Sequence, residues 1–320
     1  MTEAPEKRKA GSKCDTPAHY FCNLPDPDCG GYPPEFSMST PHARTELRDW
    51  ILGQARHGQA PMAVVSALCE QGWPEDQAID LVQSILQAYL AEHARENGLP
   101  PPSPVPEPME LDGPHLIDAG DRQVAVLSNL RHPRVVVLGG LLGDDECDQL
   151  VSLARERIRR SETFQLDDGV SIVHEGRTSE GMFFNRAENA LCQRIEARIA
   201  EVCQWPIERG EGLQILRYGP GAQYKPHYDY FDPAQPGSGK VLARGGQRVA
   251  SLVMYLNTPK RGGATTFPDI GLEVAPVKGN AVFFSYDRPH PMTKTLHGGA
   301  PVLEGEKWVA TKWLREQAYF

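Results

Sequence analysis

Apolar positions recur at helical spacing early in the chain and at strand spacing later. Leu47, Ile51 and Ala55, then Val64, Val65 and Leu68, then Ile79, Val82, Ile85, Leu86 and Tyr89 fall three and four residues apart, the stripe of an amphipathic helix. Gly58 and Pro61 break the first pattern from the second, and Gly72, Trp73 and Pro74 break the second from the third, so residues 44–97 read as a small three-helix domain. Six prolines between 100 and 108 make residues 98–114 an extended, semi-rigid spacer and a domain boundary. Beyond it, Val124, Val126, Val135, Val136 and Val137 mark short strands, and helices are predicted from about Asp144 to Arg160 and from about Ala187 to Gln204. From Gly212 onward eight short β-rich segments recur between turn residues: LQILRY, AQYKPHY, RVASLVMYL, ATTFP, LEVAP, NAVFFSY, TKTLHG and KWVATKWL. Residues 115–320 therefore read as an α+β domain, a double-sheet jelly roll or a barrel with the two helices packed outside.

Composition narrows the function classes. A formal charge of −9 without a long run of Lys or Arg argues against nucleic acid as a partner. No stretch approaches the length of a membrane span and MTEAPEKRKAGSKCDTP lacks the apolar core of a secretory signal, which leads us to expect a soluble, cytoplasmic protein with no membrane partner. Seven cysteines, with Cys69, Cys147, Cys192 and Cys203 inside helical patterns, fit reduced thiols better than a disulfide framework. Residues 1–43 mix Pro, Gly, Ser and charge and are expected to form a disordered leader. Within it, Cys14, His19, Cys22 and Cys29 contain the ligand types of a Cys3His zinc site, but their spacing matches no familiar knuckle and we expect no metal there. The segment ALCEQGWPEDQAIDLV looks like the second turn and third helix of ubiquitin-associated-type domains. Trp73 and the Leu/Ile stripe are expected to form that domain's core, with docking of a protein partner as the alternative.

The candidate chemistry lies in the β-rich part. His227 and Asp229 form His-x-Asp on a predicted strand, where positions i and i+2 share a face and can meet one ion. A third ligand must come from another strand, and His290 and His297 are available. His290 sits between prolines in DRPHP, whereas His297 ends the strand-like run MTKTLHGG and is preferred. Two imidazoles and one carboxylate leave positions open on iron(II) for a cosubstrate and dioxygen. A zinc hydrolase on the same ligands would need a general base that the sequence does not identify.

From about Val136 to Arg315 the chain resembles, in order, the prolyl 4-hydroxylase family of Fe(II)/2-oxoglutarate-dependent dioxygenases of bacterial type, with an extra amino-terminal helical domain. The resemblance rests on LRYGPGAQYKPHYDYF, RVASLVMYLN, GGATTFP, KGNAVFFSY and LHGGAPVLEGEKWVATKWLRE. It implies a double-stranded β-helix fold with iron on His227, Asp229 and His297. In that family a Lys ten residues after the distal His pairs with the remote carboxylate of 2-oxoglutarate. Ten residues after His297 stands Lys307, and ten after His290 stands Ala300. Tyr218 and Thr265 match the residues near that carboxylate, while Tyr224, Arg248 and Trp313 match a substrate rim. Lys312 is read as an ordinary solvent-facing strand lysine. FQLDDGVSIVH, residues 164–174, falls where related enzymes carry a mobile loop over the peptide.

The activity implied is hydroxylation of a prolyl residue in a protein or peptide. It is coupled to decarboxylation of 2-oxoglutarate to succinate, with dioxygen as oxidant and ascorbate as reductant. An Asp at the carboxylate position favours hydroxylation over halogenation. Hydroxylation of free proline or another amino acid, and a non-catalytic scaffold recruiting partners through the helical domain, are the alternatives.

Overall fold

The computed structural model describes residues 41–108, 113–160, 163–164, 171–172 and 178–320. The chain divides into two compact units, Met1–Gln87 and Ala88–Phe320. Residues 1–40 of the proposed leader, with Cys14, His19, Cys22 and Cys29, lie outside the described residues, and its last three residues open the first helix instead.

Helices α1 (Pro41–Arg56), α2 (Pro61–Glu70) and most of α3 (Glu75–Glu96) belong to the first unit. Pro61 opens α2, where a missing N–H costs nothing and the fixed φ suits a helix. Leu47, Ile51, Val64, Val65, Leu68 and Val82 are buried together, with Trp50 and Trp73 partly buried against them.

In the second unit the proline-rich stretch has no helix or strand, yet it is fastened to the domain that follows it. Ser103 N donates to Asp287 O at 2.6 Å, the Ser103 hydroxyl bonds Glu316, and Arg134 Nε donates to Glu107 at 2.8 Å. Pro106 and Pro108 are buried. These contacts take the place of the freedom of a spacer.

The strands of the two larger sheets are β1 (Leu116–Asp118), β2 (Gln123–Leu130), β3 (Arg134–Gly139), β4 (Arg159–Arg160), β5 (Glu180–Phe184), β6 (Leu213–Tyr218), β7 (Tyr224–His227), β8 (Arg248–Tyr255), β9 (Thr265–Phe267), β10 (Leu272–Val274), β11 (Ala281–Ser285), β12 (His297–Gly299) and β13 (Lys307–Arg315), beside two short two-stranded ribbons, Thr163–Phe164 with Ser171–Ile172 and Arg261–Gly262 with Val302–Glu304. Nine form an antiparallel sheet in the order β1-β2-β3-β11-β8-β13-β6-β5-β4, and four form a smaller one, β10-β9-β12-β7. Helices α4 (Asp144–Arg155) and α5 (Ala190–Cys203) flank the large sheet, and a short helix α6 (Ser238–Leu242) precedes β8.

Alternation along the strands divides the large sheet between two cores. Ala250, Leu252 and Met254 of β8, and Trp308, Ala310 and Leu314 of β13, pack with α4 and α5. Tyr255, Val309, Val282 and Phe284 turn the other way and pack with Phe267 and Val274 of the small sheet. Two facing sheets, with helices covering the outside of one, are the jelly-roll arrangement.

Two expectations are corrected. Helix α4 stops at Arg155 rather than near residue 160, because the backbone of Arg159 and Arg160 pairs with Gly181 and Glu180 at the sheet edge. Lys312 is not solvent-facing. It points into the helix-side core, where its Nζ lies 2.6 Å from Glu196 Oε1 of α5, with both side chains 2% exposed. Gly210 makes room for it, since a Cβ there would stand 2.5 Å from Lys312 Cε.

Candidate active site

The register of the small sheet brings the two preferred histidines together. His297 of β12 is the cross-strand partner of His227 of β7, and their ring centroids are 4.4 Å apart. Such closeness needs glycine beside it, because a Cβ on Gly298 would lie 2.8 Å from Tyr224 O. Asp229 departs from the expected strand geometry, since β7 ends at His227. The segment beyond is held by the Gln247 side-chain amide, which accepts from Phe231 N at 2.8 Å and donates to Phe231 O at 2.7 Å. This mimics a strand partner and aims Asp229 inward.

Ligand atoms of His227, Asp229 and His297 all lie within 4.8 Å of one another. Asp229 Oδ1 is 3.5 Å from His227 Nε2 and Oδ2 is 3.4 Å from His297 Nε2. Nδ1 of His227 donates to Lys225 O at 2.9 Å, and Nδ1 of His297 to Thr295 O at 3.0 Å. Each ring therefore carries its proton on Nδ1 and offers the Nε2 lone pair to the shared point. His290 is occupied elsewhere, its Nδ1 accepting from Met292 N at 3.2 Å.

Electrostatics match this donor set. Burial alone would raise the Asp229 carboxyl, but His297, His227 and Arg248 hold it well below the carboxylate range. Burial, helped by His227 and opposed by Asp229, pushes His297 down to about 4. An ionised Asp229 and a neutral His297 are in the protonation states a metal requires, and two His with one carboxylate suit iron(II).

A cavity runs from these groups to Lys307, lined on the way by Tyr218, Thr265, Val309 and Thr311. Lys307 pairs in register with Tyr218, and its Nζ sits 5.7 and 5.6 Å from the ring centroids of Tyr218 and Tyr255. No carboxylate among the described residues pairs with it, and burial pushes the ammonium down to about 8. Thr265 Oγ1 accepts from Tyr255 OH at 2.8 Å, which leaves the threonine proton available to another acceptor. Glycines keep the space open: a Cβ on Gly299 would lie 4.0 Å from Lys307 Nζ, and one on Gly263 3.2 Å from Lys307 Cδ.

At the other end Tyr224 stacks on His227 with centroids 3.7 Å apart. Trp313 also lines the cavity, and its buried Nε1 has no partner among the described residues. Arg248 does not line it. Its guanidinium lies 3.8 Å over the Trp313 ring, donates to Glu211 at 2.7 and 2.9 Å and reaches Asp229 O at 3.4 Å. Glu211, Gln247 and Tyr255 were not singled out from sequence, since nothing local distinguishes a buried polar anchor from a surface residue. Of residues 164–174, the backbone of Phe164 pairs with Ser171 beside a Thr163–Ile172 pair. Residues 165–170 and 173–174 lie outside the described residues.

Comparison with known proteins places this site in context. A profile for the 2OG-Fe(II) oxygenase superfamily matches residues 213–315. Prolyl 4-hydroxylase 1 of Arabidopsis thaliana is 41% identical over 204 residues, which are 58% of this chain and 70% of that protein. Prolyl 4-hydroxylase 2 of the same plant is 39% identical over 213 residues, covering 58% of this chain and 69% of that one. Among solved structures, a viral collagen prolyl hydroxylase from Paramecium bursaria Chlorella virus-1 is 30% identical, covering 57% of this chain and 95% of that one with a TM-score of 0.44.

Proposed function

Because the chain belongs to the prolyl 4-hydroxylase family of 2OG-Fe(II) oxygenases, we propose that His227, Asp229 and His297 hold the iron(II) with which it hydroxylates prolyl residues in a peptide or protein. The observation that carries the assignment is the cavity with this triad at one end and, at the other, the buried ammonium of Lys307, with which no carboxylate among the described residues pairs. A dianion chelating the metal through its keto acid presents a second carboxylate that must be paired once buried. Lys307 supplies that cation, Thr265 donates its free hydroxyl proton, and Tyr218 walls the pocket.

Iron(II) and 2-oxoglutarate, when bound, supply the oxidation, in which dioxygen and 2-oxoglutarate are consumed, succinate and carbon dioxide form, and a C–H bond becomes C–OH. The protein places the reactants and excludes water. Tyr224 and Trp313 offer flat aromatic faces suited to a proline ring, and Arg248 acts on this rim by fixing Trp313 rather than by touching the peptide. Ascorbate is assigned as the reductant that restores iron(II).

Among the described residues no helix is long and apolar enough to cross a membrane. Cys69, Cys147, Cys192 and Cys203 are free, which supports a reducing, cytoplasmic setting. The stripe of the three-helix unit and Trp73 form its core; a protein partner for this unit is the second reading, supported by its ubiquitin-associated-like sequence and by Met62, 56% exposed. Met62→Glu is expected to leave turnover of a short peptide unchanged.

Anaerobic titration with iron(II) and 2-oxoglutarate tests the core of the proposal. A visible metal-to-ligand charge-transfer band is expected, and it should vanish in Asp229→Ala and His297→Ala but persist in His290→Ala. Iron binding without the band would remove the cosubstrate assignment. Loss of the band in His290→Ala alone would move the third ligand.

A further inference from the structure

Next to Asp229 lies a short chain of hydroxyl groups that the metal reading does not use. Ser251 Oγ of β8 donates to Asp229 Oδ2 at 2.6 Å. The same oxygen lies 2.9 Å from Tyr286 OH, just past the end of β11. Ser251 is fully buried, Tyr286 is 2% exposed and Asp229 8% exposed. The proton directions follow from valence. An ionised carboxylate only accepts, so the single Ser251 proton is on the bond to Asp229, and Tyr286 must donate to Ser251.

The chain distinguishes the two carboxylate oxygens. Oδ2, 3.4 Å from His297 Nε2, is held by an O–H, whereas Oδ1, 3.5 Å from His227 Nε2, has no O–H donor among the described residues. β8 and β11 are adjacent antiparallel strands, with Ala250 opposite Ser285 and Ser251 opposite Phe284. The two hydroxyls are thus held by the rigid centre of the large sheet, while Asp229 stands on a bend beyond β7. The sheet therefore orients a ligand that its own loop would leave free to rotate about the terminal torsion.

Building on the metal reading above, we propose that Tyr286 and Ser251 are positioning residues for the carboxylate ligand. Tyr286 orients the Ser251 hydroxyl, and Ser251 engages Oδ2, fixing the carboxylate in the orientation in which Asp229 would meet iron. A carboxylate held in one orientation would leave the remaining positions on the ion open to cosubstrate and dioxygen. The hydrogen-bond partners of metal ligands are known to govern affinity on this scale.

The test is Mn(II) binding to the full chain, with Mn(II) standing in for iron(II), read from the free-ion electron paramagnetic resonance signal. The unmodified protein is compared with Ser251→Ala, Tyr286→Phe and Asp229→Ala, and folding is verified by circular dichroism. Ser251→Ala is expected to weaken Mn(II) binding by about 10- to 100-fold, the range for loss of a ligand's hydrogen-bond partner. Tyr286→Phe, which removes one oxygen and leaves the ring packed, should weaken it by about three- to tenfold because Ser251 keeps its bond to Asp229. A purely structural role would lower the melting temperature and leave affinity at 25 °C intact. Binding within a factor of about two of the unmodified protein for folded Ser251→Ala and Tyr286→Phe, with Asp229→Ala impaired, would overturn this proposal alone. If Asp229→Ala also binds Mn(II) normally, the metal assignment itself falls with it.

Discussion

Lys307 and Lys312 stand on one strand, five residues apart, and both are almost fully buried. An odd separation puts them on opposite faces. Lys312 enters the helix-side core and meets Glu196 at 2.6 Å, so burial, which lowers its pKa, is opposed by the carboxylate. Lys307 enters the space between the sheets, where burial lowers it to about 8 and no anion among the described residues answers it. The first has its partner in the same chain; the second is arranged for one that arrives from solution. A buried charge without its counterpart is costly, and a fold retains one where a ligand completes the pair.

The difference can be tested by removing each in turn. Lys312→Ala leaves Glu196 buried and unpaired, so unfolding free energy in a denaturant titration is expected to fall by about 3–5 kcal/mol. The 2-oxoglutarate affinity of the protein that remains folded should not change. Lys307→Ala should do the converse, raising the 2-oxoglutarate requirement by about two orders of magnitude, as when one member of a buried charge pair is truncated. Stability should hold or improve. If Lys312→Ala weakens cosubstrate binding, or Lys307→Ala unfolds the domain, the division between the faces fails.

pH sharpens the contrast. With its pKa lowered from 10.5 to about 8, Lys307 is neutral in the folded protein but protonated in the unfolded chain between those values. The unfolded state then binds more protons, and this group's contribution to stability rises with pH across that window. Cosubstrate affinity should move the other way, falling by up to about tenfold per pH unit once Lys307 deprotonates. Lys307→Met should abolish both slopes, which binding titrations and melting curves at pH 7 and pH 9 would reveal. The smallest effect is expected from Thr265→Val, which removes one donor near the same carboxylate. It should cost about 1 kcal/mol, a roughly fivefold weaker cosubstrate affinity by calorimetry.

Local pattern was enough for much of this molecule. Of the eight β-rich segments after Gly212, TKTLHG is turn and loop until β12 starts at His297, rather than a strand that ends there. The other seven contain a strand, β6 to β11 and β13, because alternating apolar residues between turn signals have few other ways to bury one face. The same holds for α1 to α3, where stripes and breakers coincide. The preference for His297 over His290 was also local, since prolines on both sides of His290 deny it a place in a ladder.

Other features depended on contacts across long separations. That Asp229 reaches its place from a bend rather than a strand depends on Gln247. That Lys312 is interior depends on Glu196, 116 residues away in sequence, and that Arg248 is an anchor depends on Glu211 and Trp313. A polar side chain looks the same in sequence whether water or a distant partner satisfies it. Hydrophobic periodicity is written residue by residue, but the pairing of buried charge is decided only when the strands and helices that carry the two partners come together.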